Sequence, residues 1–176
     1  YFKAMKKAIF IINLISIFVV LSLSARVLPQ DVIWNSDESG YFTIKNNSIV
    51  LVSTVGKKDK DILTSSDVRG MKIESFFFSE DREKVLIFTN SVRVWRYNTR
   101  GNYFVYDLKS KDGYRLGSSL PENSLMFAKF SPDGKNVAYV SKEIITNSFR
   151  NSSTRANIYI ENIIDKTVTK LTESDE

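Results

Sequence analysis

Hydrolytic and metal-assisted chemistry needs a proton acceptor or a cage of ligands, and this chain is short of both, because its 176 residues include no histidine and no cysteine. Without an imidazole, no serine or cysteine triad can be assembled. Zinc and copper sites draw on the same two residues, which leaves oxygen-ligand sites for calcium or magnesium. No loop in the sequence has the acidic spacing for one. The nearest approach to a glycine-bracketed nucleophile turn is Gly113-Tyr114-Arg115-Leu116-Gly117, which carries arginine where serine would be required. No catalytic residue, metal ligand or cofactor is therefore expected within this chain.

The other chemistry open to it is recognition through charge. The formal net charge is +5, but Lys3, Lys6 and Lys7 precede an apolar run, and without them 22 basic residues stand against 20 acidic ones. The one tight basic cluster, Lys57-Lys58-Asp59-Lys60-Asp61, is diluted by its own carboxylates and reads as a solvated turn. Nucleic acid is not an expected partner, since no clustered Lys/Arg face is available for phosphates. A single arginine is of more interest. Arg96 sits between aromatic residues in Val94-Trp95-Arg96-Tyr97, where it reads either as an ordinary hairpin charge or as a polar anchor for a ligand.

Two kinds of element would have to position such a residue. The first is an address: Met5-Lys6-Lys7, a 16-residue apolar run from Ala8 to Leu23, then Ser24-Ala25. A positive end, an apolar stretch and a small-residue exit describe a secretory signal over residues 1–25, with the residues before Met5 upstream of the initiator. The run falls short of the ~20 residues a spanning helix needs, so an exported protein, periplasmic or secreted, is expected, with an uncleaved N-terminal anchor as the alternative. The second kind is strand. After Ala25, short runs of Val, Ile, Phe, Tyr and Thr alternate with Asp, Asn, Gly and Ser clusters. No stretch there has a helical period, so residues 26–176 are expected to be all-β.

The strands recur as units. Asn47-Ser48-Ile49-Val50, Asn102-Tyr103-Phe104-Val105 and Asn157-Ile158-Tyr159-Ile160 each begin 55 residues after the one before. Phe78-Ser79-Glu80-Asp81 and Phe130-Ser131-Pro132-Asp133 are 52 apart, and each precedes an apolar strand. Leu63, Leu116 and Leu171 each close a unit. Four antiparallel strands per unit of about 40–55 residues is the grammar of a β-propeller blade. The pattern predicts a partial blade near Trp34 to Leu63 and two full ones, Met71 to Leu116 and Leu125 to Leu171. About three blades make an incomplete propeller with an open apolar flank. The polar stretch from Lys142 to Arg155 is expected to be an insertion, longer than the hairpin that would fit there.

The Val94-Trp95-Arg96-Tyr97 hairpin, followed by Tyr103-Phe104-Val105-Tyr106-Asp107-Leu108 and then by Phe130-Ser131-Pro132-Asp133-Gly134, resembles the N-terminal propeller of dipeptidyl peptidase IV-like serine peptidases of the prolyl oligopeptidase family. The resemblance covers about Trp34 to Glu176. It implies a propeller over an α/β-hydrolase domain, release of dipeptides from the free N-terminus of a peptide substrate, and a homodimer as one option for the full protein. It also implies that Arg96 binds a carbonyl oxygen of the bound peptide, a task suited to a guanidinium with its fixed donors. No Glu-Glu pair and no Gly-x-Ser-x-Gly occurs in this chain, so the partner hydrolase domain and the capture of the peptide amino group are expected from sequence outside it. The competing expectations are a non-catalytic periplasmic propeller that binds a protein partner, as in the Tol system, and a propeller whose triad has been lost.

Overall fold

The structure is a computed structural model that describes residues 32–94, 97–148 and 151–172, all within the second of the chain's two compact units, Asp31–Glu176. The expected signal segment lies outside the described residues. Among those residues every regular element is a strand: β1 (Ile33–Trp34), β2 (Gly40–Lys45), β3 (Ser48–Ser53), β4 (Lys60–Leu63), β5 (Ser75–Phe78), β6 (Lys84–Val94), β7 (Tyr97–Asp107), β8 (Asp112–Arg115), β9 (Leu125–Phe130), β10 (Asn136–Ser148), β11 (Asn151–Asn162) and β12 (Val168–Lys170).

They form three four-stranded antiparallel units, β1–β4, β5–β8 and β9–β12. The first is a complete blade, because the two-residue β1 pairs with Tyr41 and Phe42 and supplies the strand that the sequence reading left out. The second and third belong to one eight-stranded sheet, joined where Arg100 and Gly101 of β7 pair with Met126 and Leu125 of β9. This is the partial propeller expected from the repeats.

Strand alternation explains the stacking. On β6, Val85 and Ile87 pack with Phe42, Ile49, Leu63, Phe76 and Tyr106 between blades 1 and 2. Their neighbours Leu86 and Phe88 point the other way, joining Tyr103, Val105, Leu116, Leu125, Val137, Tyr139 and Tyr159 between blades 2 and 3. A one-residue slip would exchange the two cores for each other, so register is tightly specified.

The turn entering the second strand of each blade is the same device used three times. Ser79 Oγ donates to Asp81 Oδ1 at 2.6 Å, and Asp81 Oδ1 also accepts the Glu83 N–H. Ser131 and Asp133 repeat this, with Asp133 accepting from the Lys135 N–H. In blade 1, Asn35 takes the place of serine and donates to Asp37 at 2.6 Å. The residue three after each of these donors, Glu38, Arg82 or Gly134, has positive φ (57°, 56° and 65°). Hydrogen bonds from Ser39, Ser79 and Ser131 hydroxyls, with backbone N–H groups behind them, hold Asp37, Asp81 and Asp133 below the ordinary carboxylate value.

One expectation is corrected. The stretch Lys142 to Arg155 is not an insertion looping away from the blade: β10 and β11 continue the ladder through Lys142↔Ala156, Glu143↔Arg155 and Ile144↔Thr154 to Ser148↔Asn151. Its polar composition is misleading, because Ile144, Ile145, Thr146 and Thr154 are β-branched and suit an extended backbone. The outer part of β6 is set off by an irregularity between Thr89 and Val92, where Asn90 has φ 52°.

Candidate functional site

The β6–β7 hairpin is the element the sequence reading singled out, and its bracing is visible from the base outward. Lys84 pairs with Asp107 at one end and Val94 with Tyr97 at the other, and Trp95 and Arg96 follow Val94 in the sequence. Those two residues lie outside the described ones. Three groups fix the hairpin below them. The Glu74 carboxylate accepts the Ser91 N–H at 3.2 Å, holding the irregularity near Asn90. Gly101 allows the Phe88 ring and the Thr89 carbonyl to close against β7, since a Cβ there would stand 2.6 and 2.7 Å from them. The outer half of β7 then pairs with β9, which attaches the hairpin to the next blade as well as its own.

Its charge is one-sided. Arg93, Arg96 and Arg100 fall within eight residues with no acidic residue among them. The Arg100 Nε is buried and has no hydrogen-bond partner. Such an arrangement can offer donors to carbonyl or carboxylate oxygens. It provides neither a nucleophile–base pair nor a metal cage, and among the described residues no group of three acidic side chains could hold a metal ion.

Two clefts are formed by described residues. A cleft of about 270 Å³ opens between the segment that joins blades 1 and 2 and the outer strands of blade 2, lined by Asp67, Arg69, Tyr106, Lys111 and Asp112 among others. A smaller one of about 170 Å³ is lined by Lys84, Asp107, Tyr114 and Lys166, where the Lys166 ammonium stands 4.5 Å from the centre of the Tyr114 ring. Both adjoin the Asp107 end of β7. At ~3.3 Å per residue that is about 30 Å along the strand from the Tyr97 end.

Two sets of polar residues organise the blades around the hairpin. Asn47 and Asn102 were legible as repeats but not as clasps. Asn47 accepts the Ile73 N–H at 2.7 Å and donates to the Met71 carbonyl at 2.9 Å, and Asn102 accepts the Asn123 N–H at 2.7 Å. The second set escaped sequence reading. Glu161 is 2% exposed and accepts the Gly117 N–H at 2.8 Å and the Tyr139 hydroxyl at 2.9 Å, tying blade 3 to the end of blade 2. Burial, and then the nearby carboxylate, raise the Tyr139 and Tyr114 phenols far above their ordinary value. The available signal was that Glu161 is two residues from Tyr159 on an alternating strand, in a slot that faces inward.

Fold and hairpin together define a stack of consecutive propeller blades with a basic hairpin on the middle one. By sequence the chain belongs to the dipeptidyl peptidase IV N-terminal region family, whose model matches residues 79–176, the hairpin included. Dipeptidyl aminopeptidase B of Saccharomyces cerevisiae is 30% identical over 153 residues, 84% of this chain and 16% of that protein. Human prolyl endopeptidase FAP is 27% identical over 107 residues, 61% of this chain and 14% of that protein. The chain thus spans about one sixth of the length of these relatives. Among solved structures, Porphyromonas gingivalis dipeptidyl peptidase 4 matches with a TM-score of 0.51 at 12% identity, covering 82% of this chain and 33% of that one. Kuenenia stuttgartiensis hydrazine synthase matches with 0.53 at 15% identity, covering 84% and 43%. At those identities the likeness concerns the fold alone.

Proposed function

We propose that this chain is the substrate-gating front of an exported serine exopeptidase that removes dipeptides from the free N-terminus of peptides, with the hydrolytic triad supplied by an α/β-hydrolase domain outside these 176 residues. The observation that carries the reading is the family match across residues 79–176, which includes the whole outer part of the β6–β7 hairpin. The dipeptidyl aminopeptidases among the relatives support this reaction class. The lack of histidine supports reading this part of the protein as one that binds and orients, with the imidazole base supplied elsewhere.

In this reading Arg96 donates hydrogen bonds from its guanidinium to a carbonyl oxygen of the peptide and sets the distance from the captured amino terminus to the scissile bond. The bracing by Glu74, Gly101 and β9 supports the assignment, because a positioning group works only when its own support is rigid. The signal-like segment Met5–Ala25 supports export.

The test uses the protein translated from its natural reading frame, a chromogenic dipeptide substrate, and the same substrate with its amino group acetylated. The free-amine substrate is expected to be cleaved and the acetylated one refused. Loss of one charged hydrogen bond is worth about 1.5–3 kcal/mol, so Arg96→Ala is expected to lower kcat/KM by ~10–150-fold with an unchanged melting temperature. Cleavage of both substrates alike, or an Arg96→Ala variant with full activity, overturns the proposal.

A further inference from the structure

We propose that Phe127, with Arg100 beside it in the sheet, is a second substrate contact, one that selects peptides carrying an apolar side chain in the part released after the N-terminal dipeptide. This contact rests on the dipeptide-releasing activity proposed above and adds to it the residue that reads the leaving peptide. The first two residues of β9 pair with the hairpin strand β7, Leu125 with Gly101 and Met126 with Arg100. The register of β9 against β10 then slips. Met126 faces Val140 and Lys129 faces Ala138, so Phe127 and Ala128 together oppose Tyr139. A bulge of this kind re-aims a side chain. Leu125, Met126 and Ala128 are at most 5% exposed, whereas Phe127 is 60% exposed.

The conformation is unfavourable for this residue type. Phe127 has φ 56°, and every other non-glycine residue with positive φ among the described ones is polar or charged. A bulky aromatic in the left-handed region is strained, and an exposed ring gains little from the core. The surroundings nevertheless impose it. The Tyr103 hydroxyl takes hydrogen bonds from the backbone N–H groups of Ala128 and Phe127, and the buried Tyr103 ring is itself fixed against Phe88 at 4.7 Å. Strain held in place around a side chain that contributes little to packing marks a functional position. The other strongly exposed aromatics among the described residues, Trp34 and Phe77, lie toward the Ser-x-Asp turn ends of their strands, away from the hairpin. Arg100 supplies the polar half, since it pairs with the residue before Phe127 and its buried Nε has no hydrogen-bond partner. A ring and a guanidinium at neighbouring positions suit an apolar side chain and an adjacent peptide carbonyl. From Tyr97 to Arg100 β7 runs ~10 Å, about three extended residues. A substrate held at the Tyr97 end by its first two residues therefore meets Phe127 with residues beyond the scissile bond.

The experiment uses the protein from its natural reading frame, a chromogenic dipeptide reporter, and two peptides that share the reporter's dipeptide and continue with either three leucines or three glycines. The parent protein is expected to prefer the leucine peptide. Phe127→Ala should cut the leucine-over-glycine ratio of kcat/KM by about 3–10-fold. Phe127→Gly should cut the ratio as far and raise the melting temperature, because glycine accepts the left-handed backbone without strain. A ratio unchanged in both variants, or a Phe127→Gly protein that melts several degrees lower, overturns the proposal. A reporter left uncleaved by the parent overturns the peptidase reading and this contact with it, whereas a cleaved reporter with an unchanged ratio overturns this contact alone.

Discussion

Replacing Tyr139 by phenylalanine isolates the polar link inside blade 3 that holds Glu161, the residue whose other bond reaches the end of blade 2. The ring is retained, with its stacking against Tyr159 at 5.8 Å, so the apolar contribution is unchanged. What disappears is the hydrogen bond from the phenol to Glu161 at 2.9 Å, in surroundings where Tyr139 is 1% and Glu161 2% exposed. Water cannot replace the lost donor, and the carboxylate keeps only the Gly117 N–H at 2.8 Å. A charge-assisted hydrogen bond of this kind is worth about 1.5–3 kcal/mol. A loss of about 2 kcal/mol is expected, or roughly 4–8 °C in melting temperature for a domain of this size. Urea denaturation at pH 7 gives the free energy directly. A double-mutant cycle with Glu161→Gln should then show the two changes to be strongly coupled. A Tyr139→Phe cost below about 0.5 kcal/mol, or additive effects in the cycle, would refute the claim that this pair fixes Glu161 in place for its bond to the end of blade 2.

Other perturbations test other joints. Gly101→Ala places a Cβ 2.7 Å from the Thr89 carbonyl oxygen, a backbone atom that cannot yield cheaply, so a loss of about 1–3 kcal/mol is expected, with faster amide exchange at Met126 in the β7–β9 junction. The double variant Ser79→Ala, Ser131→Ala removes the hydroxyls that hold Asp81 and Asp133 below their ordinary value. Carboxyls lowered in the folded state stabilise it above about pH 4, and that stability is lost as pH falls through their folded values. The parent chain should therefore lose stability on acidification below pH 4, and the double variant should show a shallower loss in pH-dependent melting. The 176-residue chain, lacking an imidazole base, is expected to release no dipeptide from a fluorogenic substrate at any pH.

The fold was legible because propeller blades announce themselves twice in sequence. The Asn47, Asn102 and Asn157 spacing marks the third strands, and the Ser-x-Asp turns mark the entry to the second. The first blade was read as partial because β1 is two residues long, too short for any periodicity to register. Lys142 to Arg155 was misread because its polar composition shows no apolar alternation, so the sequence gives no sign of the ladder. Glu161 was missed for the converse reason: a carboxylate in a strand reads as outward unless its partners Tyr139 and Gly117, 22 and 44 residues away, are known to converge on it. Arg96 was singled out through resemblance alone, since composition and spacing give a hairpin arginine no distinction from an ordinary surface charge.

The central claim is that the middle blade's hairpin presents Arg96 to a peptide. It is tested most directly by the structure of the full-length protein with a bound dipeptide or peptide-like inhibitor. The account predicts an Arg96 guanidinium nitrogen within about 3 Å of a ligand carbonyl oxygen. A ligand bound in the cavity with Arg96 turned to solvent, or engaged only by its own hairpin, would contradict it.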